Sequence, residues 1–299
     1  STPHTLTDNE GHLVTVLAGR PADPSWHNVV SNVNTSMVHA RVTGEENFFY
    51  EKHRRGKFLA VAVGISYGGG QPKPGNLLLP PTKRKIVHEL LNNSDIKWIS
   101  GFQSSTYLPF YFPKVYEDYA TNLFPLYEHS PNLQPNFPNI SIYPTCTFNF
   151  GPYTTTFEHT DSANVAYGLC AITALGQFNP KKGGHLILFD LKLVIKFPPG
   201  STILIPSSVL RHGNTPIIGE GSGSHRMSFT QYCAGGLFRW VNYGFQTARS
   251  LESKPRGKWL KKAIDGKLAD RTVSALGLFS TMDSLAKDRQ AVFGRSFKY

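Results

Sequence analysis

The chain has 299 residues, of which 40% are hydrophobic and 17% are charged. That is enough apolar content to bury a large core, and no apolar run is long enough to cross a bilayer. Lysine and arginine outnumber aspartate and glutamate by 31 to 20, a formal charge of +11 that favours a polyanionic partner such as nucleic acid. The three scattered cysteines argue against a disulfide framework and a thiolate zinc site, and they predict an intracellular protein.

The first 140 residues mix helical and strand patterns. Apolar periodicity predicts helices over 26–40, 83–91 and 113–124, and the apolar run 58–66 predicts a buried strand. A loop is predicted at Gly68-Gly69-Gly70, and a phosphate-binding P-loop is excluded there because no Gly-Lys-Ser/Thr follows. We expect this region to brace the part of the chain that follows.

After residue 140 the chain changes to short β-rich runs, at 142–150, 164–174, 185–189, 192–197, 202–205 and 226–233. Many short strands with turn signals between them are typical of a sandwich or a barrel. From about residue 250 the pattern becomes polar, helical and basic. We therefore predict an N-terminal α/β region over 1–140, a β-rich core over 141–248 and a basic helical segment over 249–299.

The triplet His159-Thr160-Asp161 is the strongest chemical signal. In an extended segment, residues i and i+2 point to the same side, so the imidazole and the carboxylate face one pocket. Three predicted strands separated by two turns lie between Asp161 and His212. They can bring the chain back to the same end of a barrel. Two histidines and one carboxylate form the facial triad of non-haem Fe(II) oxygenases.

Arg226 and Ser228 lie on one face of a later strand. A buried guanidinium there can hold the distal end of a dicarboxylate through a charge-assisted pair, and the serine hydroxyl can add a donor. His185 and His225 are rival metal ligands that rank below His212. Each of these residues alone can be an ordinary core, turn or surface residue, and their order within one β-rich segment is what favours a site.

The run from Tyr143 to Phe245 resembles the core of the 2-oxoglutarate oxygenases. Within them it is similar to the TET/JBP nucleic-acid-modifying branch, including its fungal, transposon-associated members. The residues that carry this resemblance are the H-x-D triplet with Asn164, the Gly183-Gly184-His185 strand start, Pro199-Gly200, His212-Gly213-Asn214 and Arg226-Met227-Ser228. Upstream, Gly19-Arg20-Pro21, Arg54-Arg55-Gly56 and the stretch from Gly64 to Asn76 also resemble the fungal branch.

The resemblance implies an α+β fold, with a double-stranded β-helix (jelly-roll) core and supporting helices. It implies Fe(II) held by His159, Asp161 and His212, and 2-oxoglutarate held by Arg226 and Ser228. The reaction implied is a dioxygenase reaction with O2 that oxidises the methyl group of a modified base in DNA, with 5-methylcytosine as the leading candidate. Asn164 matches a residue that contacts the flipped base in that family, although it can equally cap the turn after Asp161.

The chain departs from the animal TET proteins, because three cysteines cannot build their cysteine-rich zinc-binding region. Its DNA-binding surface has to be built differently. The candidates are two basic stretches, represented by Arg54 and Arg55 in the first and by Lys258 and Lys261 in the second. Either stretch can instead be an ordinary solvated face.

Other functions remain open from the sequence. The same chemistry can act on N6-methyladenine, on RNA, or on a protein or small-molecule substrate. A catalytically inactive nucleic-acid-binding β-barrel and a cupin-type metal enzyme without 2-oxoglutarate are further alternatives. The proposed substrate, a methylated duplex with a flipped base, together with the basic clusters, predicts a nuclear protein that takes part in DNA demethylation. We also expect a monomer without membrane association.

Overall fold

A computed structural model describes residues 2–44, 55–219 and 223–294. Its centre is an antiparallel eight-stranded sheet, and a three-stranded sheet stands beside it. With strands numbered along the chain, the large sheet has the spatial order β1 (His4–Thr7), β2 (Leu13–Gly19), β9 (Thr202–Ile205), β6 (Cys170–Gln177), β11 (His225–Tyr232), β5 (Thr145–Gly151), β3 (Leu59–Ser66) and β4 (Gly75–Asn76). The small sheet has the order β10 (His212–Asn214), β7 (Leu186–Leu188) and β8 (Leu193–Ile195).

Apolar side chains hold the two sheets together. Leu186 and Leu188 of the small sheet pack into one buried cluster with Ile203 and Ile205 of the large sheet. Phe197, which lies between β8 and β9, fills the same cluster and is 2% exposed. Two sheets that are joined in this way form a flattened barrel whose interior can hold a site.

The side chains of β5 and β11 alternate between two buried faces. Phe148 and Phe150 of β5 pack with Met227 and Phe229 of β11 in a cluster that also includes residues of the helices. The polar residues between them face the other way, into the barrel, and those that line its cavity are Asn149, Arg226, Ser228 and Thr230. Because a strand has a period of two residues, each strand supplies both the helix-packing face and the polar interior.

Helices pack on the outer face of the large sheet. Those before residue 140 are α1 (Trp26–Gly44), α2 (Pro81–Asn92), α3 (Ser94–Gly101), a π-helix (Phe102–Tyr107), α4 (Leu108–Tyr111) and α5 (Pro113–His129). Those after residue 234 are α6 (Gly235–Asn242), α7 (Ala248–Glu252), α8 (Gly257–Asp265), α9 (Leu268–Leu276) and α10 (Leu285–Phe293).

A buried polar network fastens the helical layer to β11. Gln231 Oε1 accepts hydrogen bonds from Ser100 at 2.9 Å and from Ser141 at 2.8 Å, and Gln231 Nε2 donates to Gln103 Oε1 at 2.9 Å. Gln103 in turn donates to Thr173 of β6 at 2.8 Å. Buried amides that are satisfied in this way fix one relative position of helix and sheet.

The fold prediction of a double-stranded β-helix with supporting helices is confirmed. The predicted helices and most predicted strands are present, with ends shifted by a few residues. The strand predicted over 164–174 was wrong in its first part, because β6 begins only at Cys170 and Gly168 N–H donates to Val165 O in a turn before it. Strands β1 to β4 also lie in the large sheet, so the predicted boundary at residue 140 crosses one continuous sheet.

Candidate metal centre

The structure brings His159, Asp161 and His212 together at one end of the barrel. His212 begins β10, and His159 pairs with it across an isolated antiparallel bridge. Asp161 follows His159 by two residues, and its backbone N–H donates to Ser207 O at 2.8 Å. One ligand atom from each residue lies within 4.8 Å of the other two. Two imidazoles and one carboxylate in this arrangement leave coordination positions open, which suits non-haem Fe(II).

Backbone carbonyls orient both imidazoles. His159 Nδ1 lies 2.7 Å from Phe157 O, and His212 Nδ1 lies 2.9 Å from Leu210 O. Because a carbonyl only accepts, each Nδ1 carries the proton and each Nε2 presents its lone pair. The Nε2 atoms of His159 and His212 lie 3.8 Å and 3.9 Å from the Asp161 carboxylate oxygens. Burial, together with the neighbouring His212, lowers the pKa of His159 from its usual 6.5, which favours the neutral form that binds a metal.

Asn214 holds the segment before His159 against β10. Its Oδ1 accepts from the backbone N–H of Thr156 at 3.0 Å and from the Thr156 hydroxyl at 2.7 Å, and its Nδ2 donates to Thr154 O at 3.0 Å. A Cβ on Gly213 would lie 2.9 Å from Thr156 O, so only glycine allows this close approach. Asn214 therefore positions the chain that delivers His159 without touching the metal itself.

Arg226 lies deep in the same cavity and is 3% exposed. Burial lowers the pKa of its guanidinium to about 10, so the group is still a cation at neutral pH. One nitrogen donates to Thr154 O at 3.0 Å. Ser228 Oγ accepts a hydrogen bond from Asn149 Nδ2 at 2.9 Å, which leaves the serine proton available to a ligand.

The polar atoms around Arg226 fit a dicarboxylate such as 2-oxoglutarate. Arg226 Nε, Asn149 Oδ1 and Thr154 Oγ1 are buried and have no hydrogen-bond partner among the residues that the structure describes. Unsatisfied buried polar groups are costly, and a bound carboxylate would satisfy the guanidinium. The cavity also contains the positive charge of Arg55, so two arginines face a single carboxylate, Asp161. Fe(II) would add to that excess of positive charge, and a doubly charged anion would offset most of it.

The free space in this cavity is about 50 Å³, little more than one water molecule occupies. A dicarboxylate therefore requires side chains to move when it enters. Arg55 lines the cavity, and its charge acts on both His159 and Tyr232. Its backbone is anchored, since Arg55 O accepts from Phe157 N–H at 2.8 Å.

The residues predicted to contact DNA are dispersed. Arg54 lies outside the described residues, whereas Arg55 points into the metal cavity, where it cannot serve as an outer phosphate contact. Asn164 lies in the turn after Asp161 and donates to Ser207 Oγ at 3.3 Å. Lys258 is exposed on α8, but Lys261 pairs with Asp265 at 2.8 Å and with Glu252 at 3.6 Å.

The rival histidines lie elsewhere. His185 Nε2 is 2.9 Å from Pro180 O, and His225 Nε2 is 2.9 Å from Asn34 Oδ1. Neither belongs to the cluster of metal ligands found among the described residues. His225 precedes Arg226 on β11, so its side chain lies on the opposite face of the strand.

Sequence reasoning missed the polar residues that complete the cavity, Asn149 and Thr154. A signal was present, because Thr145, Thr147 and Asn149 alternate with Cys146, Phe148 and Phe150 in one predicted strand. Such alternation indicates one polar and one apolar face. Arg55 offered no such signal, since its place depends on contacts with strands about 100 residues later in the chain.

Comparisons with known proteins identify the fold. No protein-family model matches the chain, and no curated protein matches it either. A solved structure described as NgTET1 in complex with 5mC DNA matches with 15% identity and a TM-score of 0.54, covering 78% of this chain and 77% of that one. A 2OG-Fe(II) oxygenase family oxidoreductase from Burkholderia pseudomallei matches with 14% identity and a TM-score of 0.35, covering 71% and 91%.

The fold and the site agree with each other. The double-stranded β-helix is shared with the NgTET1 structure, and the His-Asp-His ligand set with the buried arginine beside it suits Fe(II) and a dicarboxylate such as 2-oxoglutarate. Across the residues that the structure describes, no helix is both long and apolar enough to traverse a bilayer.

Proposed function

We propose that this protein is an Fe(II)- and 2-oxoglutarate-dependent oxygenase that oxidises the methyl group of a modified base in DNA, with 5-methylcytosine as the preferred base. The observation that carries the proposal is the convergence of His159, Asp161 and His212 beside buried Arg226, within the fold of a structure described as bound to 5mC DNA. The formal charge of +11 supports a polyanionic substrate. A DNA substrate also implies a nuclear location and a role in DNA demethylation.

The residues of the site have two different roles. His159, Asp161 and His212 would hold Fe(II), and Arg226 with Ser228 would hold the distal carboxylate of 2-oxoglutarate. When bound, this pair of cofactors with O2 supplies the oxidation of a C–H bond. The protein orients Fe(II) and 2-oxoglutarate, and the cavity excludes bulk water from them.

A base in a duplex cannot reach this cavity while it is stacked. The metal ligands line a narrow cavity, so the target base has to leave the helix and enter it. Asn164, in the turn after Asp161, is our candidate for contact with the flipped base. Exposed lysines such as Lys258 would contribute phosphate contacts that weaken as the salt concentration rises.

The test is anaerobic reconstitution with Fe(II) and 2-oxoglutarate, followed by air and a duplex that carries 5-methylcytosine. Nucleosides and succinate are then measured by mass spectrometry, with an unmethylated duplex of the same sequence as the control. Oxidised cytosine formed in step with succinate is the expected result. Succinate without an oxidised cytosine would refute the proposed base and direct the same assay to N6-methyladenine, RNA and peptides.

A further inference from the structure

A second cleft lies between the triple-glycine loop and helix α6. It encloses about 200 Å³ and is lined by the aromatic side chains of Tyr67, Trp240 and Tyr243. The rings of Tyr67 and Trp240 meet edge to face with centroids 5.2 Å apart. The free space suits a planar group about as large as a nucleobase, against which aromatic walls can stack.

The polar groups of the cleft select the charge of its ligand. Arg239 and Gln71 line it, and no carboxylate occurs among the lining residues that the structure describes. Three aromatic rings alone would also suit a methylated ammonium, but the Arg239 cation disfavours any cationic ligand. Trp240 Nε1 is buried and lacks an acceptor within the described part of the chain. A ligand with a planar ring, acceptor atoms and a negative charge meets all of these conditions.

The glycine loop forms the open side of the cleft. Gly69 and Gly70 have φ angles of +56° and +91°, a left-handed backbone that favours glycine. A Cβ on either residue would meet nothing within 4 Å, so packing does not explain these glycines. They allow a tight turn with a bare backbone at the edge of the cleft, where a sugar or phosphate can approach closely.

The cleft lies at the same end of the barrel as the metal ligands. Gly235 N–H, at the start of α6, donates to Ala163 O at 2.9 Å, and Ala234 pairs with Asn164 in an isolated bridge. Asn164 N–H donates to Asp161 O, so the metal-binding turn and α6 are in direct contact. Trp240 follows Gly235 by five residues, roughly 7–8 Å along a helix, which is about two steps of a stacked strand.

We propose that this cleft binds a nucleobase of the substrate strand, one to three positions from the base that enters the metal cavity. Tyr67 and Trp240 stack on or against that base, and Arg239 binds a phosphate beside it. The inference rests on the proposed function, because it requires a nucleic-acid strand at the metal cavity. It assigns recognition of sequence context to the loop Gly68–Gly70 and to α6.

The test is a double-mutant cycle, in which Trp240 and the neighbouring base are removed separately and together. The affinity for the strand is measured under conditions without turnover. Fluorescein-labelled 9-nucleotide strands with a central 5-methylcytosine are titrated anaerobically at low salt, with Fe(II) and 2-oxoglutarate present. Each flanking position is replaced in turn by an abasic site. We expect one such site to weaken binding to the unaltered protein about tenfold, the usual effect of losing one stacked base.

Substitutions of Trp240 and Arg239 test whether the loss of affinity arises in the cleft. Trp240→Ala should weaken binding of the intact strand by a similar factor and remove the penalty of that abasic site, because the two changes delete one interaction. Exposed Arg239→Ala should weaken binding several-fold, and Trp240→Phe, which retains an aromatic ring, should fall between. Arg84→Ala on α2 is the control. Melting curves identify any variant that fails to fold, and Arg239→Ala then carries the test.

The outcomes separate this inference from the proposed function. Independent, multiplicative losses for Trp240→Ala and for every abasic site would overturn the cleft as a base site, even in a protein that oxidises 5-methylcytosine. Absence of strand binding by the unaltered protein would overturn it as well. A coupled loss in a protein that leaves 5-methylcytosine unoxidised would support the cleft and refute only the proposed base.

Discussion

The metal cavity and helix α8 differ in how their polar and charged side chains are exposed to solvent. In the cavity, every imidazole has its Nδ1 proton fixed by a backbone carbonyl, and Arg226 is 3% exposed. On α8 the paired Lys261 and Asp265 face the body, where Asp265 accepts from the Tyr243 hydroxyl at 2.6 Å, while Trp259 is 69% exposed. The two imidazoles of the cavity are oriented before any metal binds, whereas α8 offers a surface whose interactions depend on salt.

The largest effect is expected from the metal ligands. Asp161→Ala removes the only carboxylate of the triad, so Fe(II) binding should be lost and succinate formation should fall by at least about 10³-fold. Glu158→Gln is the matched control, because Glu158 is a nearby carboxylate that pairs with Arg211 at the surface. Iron stoichiometry and mass spectrometry measure both variants. A fully active Asp161→Ala protein would disprove the ligand assignment.

The next effect concerns the buried guanidinium. Arg226→Lys retains a positive charge but loses the planar fork, so we expect the KM for 2-oxoglutarate to rise on the order of 10²-fold. Steady-state kinetics with varied 2-oxoglutarate provide the measurement. The control is Arg41→Lys, since Arg41 also donates to a backbone carbonyl, that of Phe150, but lies outside the cavity. An unchanged KM would mean that the co-substrate binds elsewhere.

A smaller effect should follow from loosening the support of His159. Asn214→Ala deletes the hydrogen bonds to Thr154 and Thr156, so Fe(II) affinity should fall about tenfold, as is usual for partners that orient metal ligands. Stability should also decrease, by about 0.5–1.5 kcal/mol, because the partly buried Thr156 N–H loses its acceptor. Metal titration and thermal unfolding test both effects. Asn179→Ala, in an exposed turn, should change neither.

The smallest effect distinguishes two lysines on α8. Lys258 is exposed, and Lys258→Ala should weaken DNA binding a few-fold and reduce the salt dependence by about one counterion. Lys261 is held by Asp265 and Glu252, so Lys261→Ala should leave the salt dependence nearly unchanged. Fluorescence anisotropy at several salt concentrations compares them. Equal slopes for both variants would show that the ion pairs of Lys261 open when DNA binds.

The parts of the molecule that local patterns describe could be predicted. His159 and Asp161 share a face because a strand alternates, and the same rule pairs Arg226 with Ser228. The remainder depends on contacts between distant segments. Strand β1 joins the sheet only through β2, and β2 through pairing with β9, almost 190 residues later, which no local periodicity reveals.

Helix α8 shows a second limit of sequence reasoning. An amphipathic pattern predicts that the apolar face turns inward, yet Trp259, Leu260 and Ile264 are exposed by 36% or more. Lys261 and Asp265 turn inward instead, because Glu252 and Tyr243 supply partners for them. Which face of a helix is buried depends on what the rest of the chain offers it.

Strand β11 has a consequence for the synthesis of the protein. It is the last strand along the described chain, yet it lies at the centre of the large sheet between β5 and β6. Ser228 meets Asn149, a residue 79 positions earlier. During synthesis, the edges of β5 and β6 that pair with β11 therefore stay unpaired until His225–Tyr232 leaves the ribosome. That interval exposes the nascent chain to aggregation, and it ends only when the strand that carries Arg226 closes the sheet.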